Sequence, residues 1–131
     1  MRIVFDTNVF VSAFGSLGDR AWEALGRIFD GEDHLLISKP IIDELLGVLA
    51  RKFSPDPAYL ARTALFLTEI GDVVRPTHQL HVFADDPDNR ILECAIAGRA
   101  EAIVTGDRAM LKLRCCANVR IISLRQYLES S

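Results

Sequence analysis

The sequence predicts an α/β fold, a five-strand parallel sheet with helices on both faces. Short apolar runs alternate with longer segments whose apolar residues recur at helical spacing. Half of the 131 residues are hydrophobic and a quarter are charged, a balance typical of globular proteins. The length suits one domain and no internal repeat is visible, so we expect residues 1–131 to form a single unit.

The first half of the chain begins with strand, helix and strand. Arg2 to Phe5 and Leu35 to Ser38 are short apolar runs, which predict buried strands. Asp19 is a good capping residue and predicts the start of the helix between them. The predicted apolar face of this helix comprises Trp22, Leu25, Ile28 and Phe29. Core packing is the expected role of Trp22, with dimerisation or partner binding by this face as alternatives.

Two further helices are predicted after the second strand. Pro40 suits the first turn of one helix, because a proline there loses no hydrogen bond. The apolar stripe of that helix comprises Ile41, Leu45, Val48 and Leu49. Asp56 and Pro57 then favour the start of another helix, which we expect to end near Ile70.

The second half of the chain continues the alternation. Asp72 to Arg75 predicts a weak edge strand, and Asp85-Asp86-Pro87 predicts a turn, because residues before proline avoid helical conformations. Asn89 to Arg99 predicts a helix, and Cys115-Cys116 is expected in a loop. The remaining predicted elements are a strand at Ala102 to Val104, a helix at Arg108 to Leu113, a strand at Val119 to Ile122 and a terminal helix through about Leu128.

Charge and cysteine content narrow the function classes. The net charge of -3 argues against tight, sequence-independent binding of nucleic acid by the whole surface, although it is compatible with a local basic groove. No run of 18 apolar residues occurs, so no membrane span is expected. The three cysteines, Cys94, Cys115 and Cys116, do not suit a disulfide framework. We therefore expect a reduced, cytoplasmic protein.

Four acidic residues follow apolar runs or open the helices beyond them. They are Asp6, Glu44, Asp88 and Asp107. Ligands of open α/β sheets bind at the edge where the parallel strands end. Each pair of like charges ~4 Å apart costs about 4 kcal/mol at an effective dielectric constant near 20, which favours a cation between them. Oxygen-only ligands indicate Mg²⁺ or Mn²⁺.

Several neighbouring acidic residues are alternatives to these four. Asp85 and Asp86 are rivals to Asp88, which is preferred because it starts the helix that packs on the sheet. Glu93 is expected to face solvent, and Asp43 points about 100° away from Glu44 on a helix. Any single aspartate after a strand is more often a helix cap or a turn residue than a ligand.

Four stretches of the chain, taken in order, resemble a PIN-domain ribonuclease. The resemblance is to the small bacterial and archaeal type that serves as the toxin of a toxin–antitoxin pair. The matching stretches are Ile3 to Ala13, Ser38 to Leu45, Asp85 to Ala95 and Ile103 to Asp107. No single stretch is decisive, but their order and spacing extend over most of the chain.

The resemblance implies a fold, an activity and a set of site residues. The implied fold is a five-strand parallel sheet with helices on both sides, and the implied activity is metal-dependent hydrolysis of RNA. Asp6, Glu44, Asp88 and Asp107 would be the catalytic carboxylates that hold one or two Mg²⁺ or Mn²⁺ ions. Asn8 and Thr105 match supporting polar positions. The resemblance also implies a cognate antitoxin, which would place a helix or a basic side chain in the acidic groove, and it favours a homodimer.

Contact with RNA phosphates requires positive side chains near the acidic residues. The candidates are Lys39, Arg90, Arg108 and Lys112, with Arg51 and Lys52 at the end of the Glu44 helix. Each of these alone is more often a solvated surface charge. The three histidines, His34, His78 and His81, are expected to face solvent, and His78-x-x-His81 is only a weak zinc motif.

Three other readings remain alternatives. A PIN-type module could bind RNA or protein without catalysis, although the complete acidic quartet argues against it. A phospho-accepting receiver domain needs an aspartate after the middle strand and a lysine after the last, but Arg75-Pro76 follows the third strand and no lysine follows Ile122. A haloacid-dehalogenase-type phosphatase needs Asp-x-Asp, and Asp6-Thr7-Asn8 lacks the second carboxylate.

Overall fold

A computed structural model describes residues 1–15 and 19–130 of the chain. The strands are β1 (Arg2–Phe5), β2 (His34–Ile37), β3 (Gly71–Val73), β4 (Ala102–Val104), β5 (Cys115–Cys116) and β6 (Val119–Ile122). The helices are α1 (Thr7–Phe14), α2 (Asp19–Phe29), α3 (Lys39–Phe53), α4 (Pro57–Ile70), α5 (Asp86–Ala97), α6 (Arg108–Leu113) and α7 (Leu124–Glu129). The predicted cap by the Asp19 side chain lies outside what the structure describes.

The strands form one sheet in the order β3-β2-β1-β4-β6-β5. Five of them are parallel, as the sequence predicts, and β5 is antiparallel to β6. Every residue of β4, and all of β1 and β2 after their first residues, is buried. Because successive strand residues point to opposite faces, this burial means that helices cover both faces of the sheet. The predicted fold class is confirmed.

The sixth strand is a correction to the predicted loop at Cys115-Cys116. Cys116 pairs with Val119, so a two-residue turn joins β5 to β6. Both turn residues, Ala117 and Asn118, have positive φ angles of 50° and 67°. Positive φ at both positions is typical of the tight hairpin turns whose twist matches that of paired strands. The turn folds the cysteine pair back against the edge of β6.

Several predicted boundaries shift, and α5 shifts for an informative reason. The helix begins at Asp86, so the predicted turn through Pro87 is wrong. Proline in the first turn of a helix removes no hydrogen bond, because those amides have no partner within the helix. That tolerance outweighs the bias of Asp86 against the helical conformation. Smaller shifts start β2 at His34 and place Ser38 after it as the N-cap residue of α3. Strand β3 spans Gly71–Val73 rather than Asp72 to Arg75, and α5 ends at Ala97.

The predicted apolar face of α2 is correct at its centre and wrong at its flanks. Leu25 and Ile28 are buried, but Trp22 is 48% exposed and Phe29 is 51% exposed. The buried stripe continues through Ala21 and Ala24 instead, so Trp22 and Phe29 lie at the border of the stripe. Core burial of Trp22 is therefore wrong.

None of the helices in the described part of the chain is long and apolar enough to cross a membrane.

Helix α5 packs closely on the sheet at its last turn. A Cβ atom added to Gly98, which caps this helix, would lie 2.8 Å from Leu36 Cδ1 and 3.0 Å from Val74 Cγ2. Leu36 is fully buried on β2, so its side chain has little room to move, and the Cys94 carbonyl lies 3.1 Å from the same added atom. Gly26, inside α2, has no atom within 4 Å of the same added Cβ.

These two glycines give a matched test of the packing. We expect Gly98→Ala to lower the free energy of unfolding by about 1–3 kcal/mol, because it overpacks a filled site. Gly26→Ala should raise it by about 0.5–1 kcal/mol, because alanine loses less backbone entropy in a helix. Urea unfolding measures both values. A Gly98→Ala protein as stable as the wild type would show that α5 does not pack this closely on β2.

Candidate metal centre

The site begins where the two central strands end. Asp6 directly follows β1 and Thr105 directly follows β4, and the two strands are adjacent and parallel. The Thr105 hydroxyl donates to Asp6 Oδ2 at 2.6 Å, and both residues are buried. The sheet itself therefore brings these two side chains together.

Thr105 also fixes the third residue of this edge. Its hydroxyl oxygen accepts from the Asp107 amide at 2.9 Å, across the exposed Gly106. One oxygen of Asp107, Oδ1, accepts from the Met110 amide at 3.0 Å and so caps α6. Asp107 is thereby held next to Asp6, with its second oxygen outside this cap.

The first turn of α5 brings two more carboxylates to the same place. Oxygen atoms of Asp85, Asp88 and Asp107 all lie within 4.8 Å of one another. Among the residues the structure describes, this is the one group of three His, Cys, Asp or Glu side chains close enough to share an ion. It contains no histidine, and the three histidines of the chain are exposed as predicted.

Burial and mutual repulsion raise the pKa values in this cluster. Burial raises the pKa of Asp88 to about 7, and the negative charges of Asp107, Asp6 and Asp85 add to the effect. Burial also raises the pKa of Asp6, the hydrogen bond from Thr105 opposes that rise, and the charge of Asp107 adds to it. The four aspartates thus form one electrostatic site.

Two aspartates of this site occupy helix caps without capping. Asp6 precedes α1 and Asp85 precedes α5, yet neither side chain accepts a cap hydrogen bond. Asp56, the equivalent residue of α4, accepts from the Tyr59 amide at 2.8 Å in the usual way. The carboxylates of Asp6 and Asp85 are therefore available to the cluster rather than to their own helices.

The cluster has the chemistry of a site for a hard divalent cation. All of its side-chain donors are carboxylate oxygens, the ligands that Mg²⁺, Mn²⁺ and Ca²⁺ favour. Asp88 Oδ2 is buried and has no hydrogen-bond partner. A buried polar atom without a partner is costly, and a cation between Asp85, Asp88 and Asp107 would satisfy it. The residues present therefore fit a metal ion.

Glu44 lies in a groove beside this cluster rather than within the three-aspartate group. The α3–α5 groove, about 410 Å³ in volume, runs between α3 and the start of α5. Its lining includes Glu44, Arg51, Asp86 and Arg90, together with Thr7, the residue after Asp6. Glu44 is half-buried there, and its neighbour Asp43 is exposed. The groove thus brings Glu44 to the same end of the sheet.

The remaining predicted site residues have different surroundings. Asn8 is exposed on α1, and Arg108 and Lys112 are exposed on α6. Lys39 is exposed and pairs with Asp43 at 2.7 Å. Of the predicted RNA contacts, Arg90 and Arg51 line the α3–α5 groove.

The predicted exposure of Glu93 is wrong. Glu93 is 7% exposed, and its carboxylate accepts from the Leu80 amide at 2.7 Å and from Arg90 at 2.8 Å. The chain before α5 folds back along the helix and covers this face. Asp86, one of the two rivals to Asp88, is exposed and pairs with Arg90 at 3.2 Å.

Asp85 is the site residue that sequence reasoning missed. It was a rival to Asp88, whereas the structure brings both into one cluster. The available signal was their spacing, because residues three apart at a helix start lie on the same side. Asn89, which follows Asp88, was also missed, and its contacts are described below.

The fold and the site together define a class, an α/β domain with an acidic site at the ends of its central parallel strands. A family model described as a PIN domain matches residues 2–109, and the chain belongs to the PIN domain family.

One curated relative and two solved structures show how far the likeness extends. An uncharacterized protein of Methanocaldococcus jannaschii is 25% identical over 118 residues, which cover 87% of this chain and 76% of that protein. The structure of VapBC2 from Rickettsia felis bound to a DNA fragment from its promoter contains a chain that matches with a TM-score of 0.64 at 18% identity. The match covers 94% of this chain and 98% of that chain.

A chain of VapBC-1 from nontypeable Haemophilus influenzae is also similar. It matches with a TM-score of 0.68 at 16% identity, covering 95% of this chain and 99% of that chain. At these identities, both structures show a shared fold.

The raised pKa of Asp88 predicts a pH-dependent stability in EDTA. With a pKa of about 7 in the folded chain and 3.8 as the ordinary value, the folded protein holds this proton more tightly. The resulting stabilisation is complete below pH 3.8 and is lost as the pH rises through about 7. Asp88→Asn removes the charge, so we expect it to raise the thermal midpoint at pH 8 by roughly 3 °C or more.

The difference between Asp88→Asn and wild type should shrink as the pH falls from 8 to 5. Thermal unfolding at both pH values measures it. Asp43→Asn, which changes an exposed aspartate, is the control and should leave the midpoint nearly unchanged. An Asp88→Asn protein less stable than wild type at pH 8 would contradict the repulsion described here.

Proposed function

We propose that the protein is a divalent-metal-dependent endoribonuclease, the VapC-like toxin of a toxin–antitoxin pair. The observation that carries the proposal is the aspartate cluster around the partnerless, buried Asp88 Oδ2. Membership of the PIN domain family supports a nuclease. The toxin role is proposed from the resemblance of the sequence to PIN-domain toxins. The similar chains of VapBC2 and VapBC-1 support it.

The proposed ligands are the carboxylates of Asp85, Asp88 and Asp107, with Asp6 beside them. Thr105 donates a 2.6 Å hydrogen bond to Asp6, and this bond orients the Asp6 carboxylate beside the cluster. Glu44, which lines the α3–α5 groove, makes up the predicted quartet with Asp6, Asp88 and Asp107, and Asp85 is a fifth carboxylate of the site. A bound Mg²⁺ or Mn²⁺ would lower the pKa of a water molecule and neutralise charge on the phosphate.

The protein must also reduce the repulsion between these carboxylates and an RNA phosphate. Arg90 and Arg51 line the α3–α5 groove and supply positive charge on its walls. Lys39 and the exposed Arg108 and Lys112 are proposed to contact the RNA backbone further out. Arg90 is already paired with Glu93 and Asp86, so its side chain is held in place before RNA binds.

The proposed partners follow from the same site. A cognate antitoxin that presents a basic side chain to the acidic cluster would satisfy the charges that otherwise require a cation. Such a side chain would also block the approach of RNA. A homodimer is proposed on the family resemblance alone.

The experiment that tests the proposal is cleavage of labelled single-stranded RNA with Mn²⁺ or Mg²⁺. We expect the wild type to cleave and EDTA to abolish cleavage. Asp6→Asn and Glu44→Gln should each reduce the rate at least about 100-fold. Removing a metal ligand should cost more than removing a residue that only supports a ligand. Asp30→Asn, in the exposed turn after α2 and outside the α3–α5 groove, is the matched control and should keep full activity.

Two results would contradict the proposed activity. Full cleavage in EDTA would remove the metal mechanism, and equal cleavage by wild type and Asp6→Asn would show that another site or a contaminant is responsible. RNA binding without cleavage by any of these proteins, together with no uptake of Mn²⁺, would favour a binding module.

A further inference from the structure

The chain that leads into α5 is anchored to that same helix. Residues 80–85, which we call the anchored segment, fold back along α5 and end at Asp85. Three side chains of α5 hold the segment, and they are Asn89, Arg90 and Glu93. Asp85 directly follows the part of the segment that these side chains hold.

Asn89 holds the middle of the anchored segment. Its Oδ1 accepts from the Val82 amide at 2.9 Å and from the Phe83 amide at 2.8 Å. Its Nδ2 donates to the Phe83 carbonyl at 2.9 Å. The side chain is 2% exposed, so water cannot replace these bonds without opening the structure. Both halves of the amide are used, and Phe83 is gripped at its amide and at its carbonyl.

Arg90 and Glu93 hold the start of the segment. The Glu93 carboxylate accepts from the Leu80 amide at 2.7 Å, and Arg90 donates to the Leu80 carbonyl at 3.1 Å. The Arg90–Glu93 ion pair joins the two anchors at 2.8 Å. Only Ala84 separates the anchored Phe83 from Asp85, so Asp85 has little freedom of its own.

Asp85 needs such an anchor because its surroundings repel it. Asp85 is exposed, and its side chain accepts no cap hydrogen bond. Its carboxylate lies within 4.8 Å of those of Asp88 and Asp107. An exposed carboxylate on an unanchored segment would turn towards water and away from these charges. Asp88 Oδ2 is buried and without a partner, so a cation at this point would satisfy it.

We propose that Asn89 is a positioning residue for the metal centre. Through the anchored segment it keeps Asp85 beside Asp88 and Asp107, so that three carboxylates are in place when the cation arrives. The inference rests on the proposed function, because it assumes that the cluster binds a divalent cation. Asn89 touches neither the ion nor the RNA in this account and acts only through Asp85.

The test is a cycle of variants measured by Mn²⁺ calorimetry. Asn89→Ala should weaken Mn²⁺ binding about 10–100-fold, the range typical of residues that support metal ligands. Asp85→Asn should weaken it to a similar extent. The double variant should bind no more weakly than Asp85→Asn alone, because Asn89 has nothing left to position.

Hydrogen exchange and a matched control separate positioning from general destabilisation. The Val82 and Phe83 amides should exchange faster in Asn89→Ala, with or without Mn²⁺. Tyr127→Phe removes another hydrogen bond of a buried side chain, from the Tyr127 hydroxyl to Asp33, which lies at the end of β1 opposite Asp6. It should lower the thermal midpoint and leave the Mn²⁺ affinity unchanged.

A second variant serves if Asn89→Ala is too unstable to study. Asn89→Asp keeps an oxygen that accepts from Val82 and Phe83, but it replaces the donor to the Phe83 carbonyl and to Asp86 Oδ1 with an oxygen that repels both. It should show faster exchange in the anchored segment, and unchanged exchange would overturn the inference.

The outcomes distinguish this inference from the proposed function. Wild type that binds Mn²⁺, with Asn89→Ala binding equally tightly, overturns the positioning role alone. An additive loss in the double variant does the same, because Asn89 would then act on another ligand. Wild type that binds no Mn²⁺ overturns the proposed function and the inference with it.

Discussion

Repulsion among aspartates that converge at one edge of the sheet is the constraint on which the rest of the site depends. The parallel pairing of β1 and β4 places Asp6 beside Thr105, and α5 brings Asp88 to the same point. Burial and neighbouring charges raise the pKa of Asp88 to about 7, so the charged cluster is unfavourable by itself. A divalent cation between these carboxylates would convert the same arrangement from repulsive to favourable.

The fold supports this cluster at some expense to its own helices. Asp6 and Asp85 stand at cap positions without capping, and such caps are typically worth about 1 kcal/mol each. Hydrogen bonds from elsewhere hold the carboxylates instead, from Thr105 to Asp6 and, indirectly, from Asn89 through the segment before Asp85. The closely packed sheet, whose central strands are buried on both faces, tolerates that loss. Stability and site geometry are therefore provided by different parts of the chain.

The sequence predicts those features that depend on local pattern. The bounds of β1, β4, α6 and β6 follow from apolar runs and turn residues, and the parallel sheet follows from their alternation with helices. What it misses depends on tertiary contacts. Glu93 is buried because a segment about three helical turns earlier in the chain folds back over it. The hydrophobic periodicity of the sequence does not reveal such a tertiary contact. Trp22 lies at the border of a buried stripe that Ala21 and Ala24 share with Leu25 and Ile28. The apolar pattern alone ranks these small alanines below tryptophan, so it predicts the wrong residue to be buried.

The most direct measurement of the central claim is a crystal structure grown with Mn²⁺, with diffraction recorded at the manganese absorption edge. We expect an anomalous peak between Asp85, Asp88 and Asp107, with oxygen ligands at about 2.1 Å and Asp88 Oδ2 among them. A structure at saturating Mn²⁺ in which this oxygen still has no partner, or in which the ion lies elsewhere, would contradict the account.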